Sequence, residues 1–208
     1  MKASLRKPAG LLLALFGVSV GLLFPFGGGA RAVKSTAPLA KEEYTGTIIG
    51  VGGLMGGVSR PFTLTIEGYT SASDASRYLQ ILETQGQDGL QKAISKEKLG
   101  YFAVSGQIGR NLNCVRETAG DGGRRITVLF ERWLNMFEVR YGTRSEDYPF
   151  TYIELFIDKN GKGEGTLIPA ARVYFDKKNQ NQLNVENFGI YPARLAGVQL
   201  RNKPEGPR

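Results

Sequence analysis

Histidine is absent from all 208 residues of this chain, and cysteine and tryptophan occur once each, as Cys114 and Trp133. Without imidazole, Ser-His and Cys-His nucleophilic arrangements cannot be assembled in their ordinary form. Zinc and non-haem iron sites lean on the same ring, and a single thiolate cannot replace it. A lone cysteine also has no internal disulfide partner, so the fold must stand on its packed core. Long apolar runs are scarce: beyond Phe26 no segment is apolar enough to span a bilayer. Carboxylate chemistry, serine–lysine chemistry, oxygen-ligated metals and binding without catalysis remain open. No catalytic residue, metal or cofactor is expected.

What is present begins with an export signal. Lys2, Arg6 and Lys7 give a positive start, and Leu11 to Phe26 give an apolar stretch interrupted by Gly17, Gly21 and Pro25. Ala30-Arg31-Ala32 then places small residues at the −3 and −1 positions of a cleavage site, so residues 1–32 read as a signal peptide and the mature chain as starting at Val33. The location expected is the bacterial periplasm or exterior. Cleavage removes four of the 27 basic residues and none of the 19 acids, which leaves 23 against 19 and a formal charge of +4. That balance favours solubility rather than nucleic-acid binding, which requires basic residues massed on one face. Neither Arg124-Arg125 nor the basic tail 202–208 is large enough for it.

The 176 residues after the signal suit one domain, enough to bury about 70% of the surface of the unfolded chain. Residues 33–43 read as a flexible lead-in and 44–201 as a β-rich domain. Phe62, Leu64 and Ile66 alternate with Thr63, Thr65 and Glu67, the pattern of a half-buried antiparallel strand. A helical hairpin is expected over about 73–96. Ser73 is its predicted N-cap, Ala75, Tyr78, Leu79 and Leu82 its first apolar face, Gly86 its break, and Leu90, Ala93 and Ile94 its second face. After Gly100 strands follow with turn signals every 8–12 residues, including Asn160-Gly161, read as a type I′ hairpin turn. Leu112–Thr118 reads as one strand with Cys114 on the same side as Leu112, a small buried hydrophobe. Met136–Tyr141 reads as another, and Trp133 as a cap on the open end of the core. The expectation is a mainly β (α+β) fold, a single antiparallel sandwich or barrel of about nine or ten strands with one docked helical hairpin.

Three stretches, Tyr44-Thr45-Gly46-Thr47, Arg144-Ser145-Glu146-Asp147-Tyr148-Pro149-Phe150 and Gly161-Lys162-Gly163-Glu164-Gly165-Thr166-Leu167, stand in this order behind the signal. In this the chain resembles a family of small exported bacterial proteins of β-rich fold. The resemblance implies export and a shared fold, and supplies no catalytic residue.

Three motifs resemble active sites and fail on context. Gly50–Gly57 follows a strand, but the next element is again a strand, so no helix N-terminus is available to meet a phosphate. Ser95-Lys96-Glu97-Lys98 has serine–lysine spacing but lies at a helix end, without its companion motifs. Asp158–Gly163 opens like a calcium loop but places Lys162 among the ligands.

Phe150–Ile157 carries more. Thr151, Ile153, Leu155 and Ile157 form one face; Phe150, Tyr152, Glu154 and Phe156 form the other. Both faces are mostly apolar, as in a central strand covered on both sides. Glu154 among aromatics must find a partner or have its pKa raised. One reading is an internal ion pair with Arg125, Arg140 or Arg172. The other is a ligand pocket in which Phe150, Tyr152 and Phe156 form aromatic walls around one acid, suited to a sugar or an amphipathic ligand. A glycosidase would need a second carboxylate about 5–9.5 Å away, with Glu131, Glu138 and Asp176 as candidates. The function expected is non-catalytic binding of an unidentified ligand or envelope component, or a structural role. The alternatives are a carboxylate-dependent glycan hydrolase and a β-barrel carrier of a small hydrophobic molecule.

Overall fold

Strand patterns that alternate in the sequence pair into one sheet that curls on itself. The computed structural model describes residues 41–50, 57, 59–120, 122–132, 147–176, 182–188 and 192–201. The expected signal, most of the expected lead-in, most of the glycine stretch, Trp133, the expected strand at 136–141 with Glu138 and Arg140, and the tail 202–208 lie outside them.

Among the described residues ten strands are formed: β1 (Glu42–Ile49), β2 (Ser59–Ile66), β3 (Gly100–Val104), β4 (Arg110–Asn111), β5 (Cys114–Gly120), β6 (Gly123–Glu131), β7 (Phe150–Asp158), β8 (Lys162–Asp176), β9 (Gln182–Asn187) and β10 (Ala193–Leu200). Every pairing is antiparallel, in the order β4-β3-β2-β1-β10-β8-β7-β6-β5, with β9 beside β8. The expected mainly β fold is what the chain adopts, with a single kinked helix where a helical hairpin was expected. β1 starts at Glu42, so two residues read as lead-in belong to the sheet.

The strands that end this order, β4 and β5, are consecutive in the chain and meet at a corner. Leu112 is bonded to the β3 side, its N–H donating to Gly100 O at 3.0 Å and its carbonyl accepting from Leu99 N at 2.9 Å. Asn113 N–H donates the other way, to Leu129 O of β6 at 3.2 Å. The buried Asn113 side chain fixes the corner, Nδ2 donating to Glu97 O at 3.1 Å and Oδ1 accepting from Glu131 N at 3.0 Å. One stretch of chain thus bridges both edges and draws the sheet into a half-barrel. The corner also shifts the alternation by one residue. Leu112 and Val115 both point into the barrel, and Cys114 packs outside it, opposite to the side predicted.

Bulges sharpen the curl. Thr45 and Thr47 of β1 face Gln199 and Ala196, and β8 sees the same extra residue between Leu195 and Val198, beside Gly197 at φ 60°. In β8 the extra residue falls at Pro169-Ala170, opposite Phe150–Tyr152. A bulge is where a sheet interior tolerates a proline, which has no N–H to give. The β7–β8 connection is not the type I′ turn expected. Gly161 N–H donates to Asp158 O at 3.0 Å, with Gly161 itself left-handed at φ 80°. The Asp158 carboxylate accepts from Asn160 N and Lys162 N, each at 2.8 Å.

Two cores result. The barrel interior is filled by Tyr44, Leu64, Ile66, Leu112, Ile126, Ile153, Leu155 and Leu195, among others. The outer core lies between the sheet and helix α1 (Ala72–Ile94), whose Tyr78, Leu82, Leu90 and Ile94 cover Phe150, Tyr152, Ala171 and Val173. Gly86 (φ 71°, ψ −167°) interrupts α1 where the sequence places the break. The N-cap is Ser71, not Ser73: Ser71 Oγ accepts from Asp74 N at 3.0 Å and donates to the Asp74 carboxylate at 2.6 Å. Asp74 is the reason, since a capping pair places its acid three residues after the cap.

Candidate functional site

Residues directly opposite in an antiparallel pair share a face, and successive same-face residues along a strand are about 7 Å apart. The registers of β5, β6, β7 and β8 therefore lay a grid on the outer face of the sheet. Its first row is Cys114, Leu129, Tyr152 and Ile168; its second is Arg116, Thr127, Glu154 and Thr166; its third is Thr118, Arg125, Phe156 and Glu164. The first row is apolar and lies under α1. The second is polar, and the third opens to solvent.

The four residues predicted from β7 fall on this face but do not form one pocket. Phe150 and Tyr152 are sealed beneath α1 and wall nothing open. Phe156, two rows from the helix cover, is 44% exposed. Glu154 lies between them and is only 5% exposed. Its ion pair is with Arg125, Nε to Oε1 at 3.5 Å. Arg172 alternates onto the opposite face, where its guanidinium lies 5.9 Å from the Tyr174 ring. Oε1 of Glu154 is buried with no hydrogen-bond partner. Burial raises the pKa of this carboxyl, and the Arg125 charge and the Tyr152 hydroxyl partly offset the rise. Burial, followed by the Glu154 charge, also raises the Tyr152 phenol.

Arg125 has a second role, its guanidinium resting 4.9 Å from the centroid of the Phe156 ring. Together they floor a cleft of about 950 Å³ whose walls include Arg116, Thr127, Lys162 and Glu164. Arg116 Nη1 donates to Thr70 O at 3.0 Å, and among the described residues it forms no ion pair.

Of the carboxylates weighed against Glu154, Glu131 stands opposite Phe150, four residues along the strand and about 13 Å away. That exceeds the span of a glycosidase pair. Glu138 and the Asp176 side chain lie outside the described residues. Glu164 is a diagonal neighbour at about 7–8 Å. It was missed because the cross-strand register is not visible in either strand alone. Its Oε2 accepts from Arg194 Nη2 at 2.6 Å, which draws it toward β10 and away from Phe156.

A second cluster, also missed, fills the barrel mouth on the other side of β6. Arg124 Nη1 and Nη2 reach the two Glu42 oxygens at 3.1 and 2.9 Å, and Nη1 reaches Glu117 at 3.3 Å. Tyr44 and Tyr69 hydroxyls donate to Glu42 Oε2 at 2.5 and 3.1 Å, and Arg124 also donates to the Tyr44 oxygen. Both phenols have raised pKa values, burial first and the Glu42 carboxylate next. The available signal was the two-residue spacing of Glu42 and Tyr44, which extends the strand pattern upstream.

Cys114 accepts from Thr70 Oγ1 at 3.3 Å, and burial pushes its thiol pKa up, so it is not primed as a nucleophile. Ser95 sits at the C-terminal end of α1, its Oγ donating to Lys92 O at 3.1 Å. Among the described residues no three of His, Cys, Asp and Glu gather to hold a metal ion, and no helix is long and apolar enough to cross a membrane. No family model, curated protein or solved structure matches the chain, so its function has to be read from the grid itself.

Proposed function

We propose that the chain is an exported, non-catalytic binding protein that takes an anionic ligand on the outer face of β5–β8. The observation that carries this is Phe156. It is an aromatic left 44% exposed on a strand whose other two aromatics are sealed, and it is stacked by Arg125 in a cleft shared with Arg116 and Lys162. A flat apolar surface with cations around it suits a ligand that offers one apolar face and a negative charge. The lack of histidine and the raised thiol of Cys114 support a role without catalysis. The leader 1–32 and the resemblance to small exported proteins support a place outside the cytoplasm.

The test is a thermal-shift screen of the exported protein against anionic and neutral small molecules, with N-terminal sequencing to locate cleavage at Val33. Phe156→Ala and Arg125→Gln should each weaken the ligand found by about tenfold while leaving the fold intact. A ligand indifferent to both would sink the reading. Glycan hydrolysis is the second reading, favoured by the diagonal placement of Glu154 and Glu164. Glycan turnover abolished by both Glu154→Gln and Glu164→Gln would move it to first place.

A further inference from the structure

We infer that the anionic ligand is a medium-chain carboxylate whose apolar tail lodges beneath α1 beside Cys114 while Arg116 holds its head. This rests on the binding reading above and narrows its ligand. Between α1 and the first row of the grid lies a second cavity of about 160 Å³, walled by Tyr78, Leu79, Leu82, Leu90, Cys114 and Leu129. Apolar cavities of about 150 Å³ stay dry and accept a molecule the size of benzene. The space exists because the first turn of the helix presents the small Ala72, Ala75 and Ser76 beside these larger residues, above a cysteine that is itself small. Its size suits a short chain and excludes a full-length lipid tail.

Arg116 lines both this cavity and the open cleft, so it stands at the threshold between them. Charge on the face points the same way. Glu154 is paired with Arg125, Glu164 with Arg194, and Asp158 accepts the N–H groups of its own turn. Arg116 is tied only to a carbonyl, the Thr70 oxygen, which fixes its position and leaves its charge uncompensated among the described residues. A guanidinium with free donors receives a carboxylate in two parallel bonds. The step from the apolar first row to Arg116 in the second thus matches an amphiphile laid along the strands.

The experiment uses the exported protein and three probes, octanoate, acetate and 1-octanol, with calorimetry for affinity. Maleimide labelling of the single thiol, Cys114, reports on the cavity. Each methylene buried is worth about fourfold in affinity, so octanoate should bind at least about tenfold more tightly than acetate. It should also bind about tenfold more tightly than octanol, which lacks the charge, and it should slow Cys114 labelling when saturating. Arg116→Gln should remove the preference for octanoate over octanol. Ala75→Leu, which adds bulk at the cavity wall, should remove the preference over acetate; the probe series on the unaltered protein decides the matter even if that variant fails to fold. Equal binding of octanoate and acetate, both weakened by Phe156→Ala, would overturn the tail and leave the cleft reading standing. No binding of octanoate, or labelling of Cys114 at an unchanged rate, would also overturn the inference. The cleft reading would then be decided separately, by whether the screen's ligand depends on Phe156.

Discussion

Arg124 and Arg125 are neighbours in sequence, face opposite sides of β6, and each meets one buried glutamate. On the inner side Arg124 gives Glu42 two bonds, and Tyr44 and Tyr69 give it two more. On the outer side Glu154 has the Tyr152 hydroxyl and a loose 3.5 Å contact to Arg125 through Oε1, an oxygen that makes no hydrogen bond. The inner arrangement uses its donors and acceptors fully and ties β1 to β6 across the barrel mouth. The outer one has spare capacity, and it adjoins the cleft and the exposed ring. A buried charge fully bonded within the protein holds structure together, whereas one left short contributes little to that hold.

The sharpest way to break this contrast is a matched pair of substitutions. Glu42→Gln removes one member of a buried ion pair and leaves Arg124 only its more exposed partner Glu117, which costs about 3 kcal/mol. Urea unfolding with an unchanged slope should report that loss. An equal loss for Glu154→Gln would erase the distinction. The arginines offer the next test. Arg124→Gln should cost about 2–3 kcal/mol, because Glu42 and Glu117 both lose their cation. Arg125→Gln should cost under about 1 kcal/mol, since its partner can take up a proton and the stacking on Phe156 is partly exposed. Phe156→Ala should then change stability by no more than about 0.5 kcal/mol, as for a surface side chain, while weakening the ligand. A larger stability loss would make Phe156 a packing residue and remove the main support of the binding proposal.

Much of the architecture was legible because it is local. The alternation Phe62–Glu67 fixed which face of β2 is buried, and the mixed pattern of Phe150–Ile157 marked a strand covered on both sides. Gly86 announced the helix break. What escaped depends on contacts distant in sequence. The corner at Asn113 is held by Glu97 and Glu131 from other elements, so nothing near Cys114 reveals that the alternation slips there. Half the site was visible in the same sense. Glu154 and Phe156 stood out on their own strand, and Arg125 was among the three predicted partners. Arg116 joined them only once the register placed it opposite Thr127, which in turn faces Glu154. Strand periodicity gives the face of a residue; only pairing gives its neighbour.

The smallest expected effect is the most diagnostic, because it has the opposite sign to the others. Burial raises the carboxyl of Glu154 above its ordinary value of 4.5, so the folded chain binds this proton more tightly than the unfolded one. Its contribution to stability is therefore fully present below the ordinary value and is lost as pH rises through the raised one. Asp74 and Asp158 behave conversely, since hydrogen bonds hold both below their ordinary 3.8, and their contribution is lost as pH falls below that range. The two windows do not overlap. Glu154→Gln copies the protonated acid at every pH, so it should match the parent in acid and become progressively more stable than it as pH rises past 4.5, levelling off once Glu154 has ionised. Unfolding free energies of both proteins across this range test the point. A constant difference, or one that shrinks with pH, would show that the ion pair with Arg125 satisfies Glu154 after all. The inner and outer glutamates would then be two versions of the same structural lock.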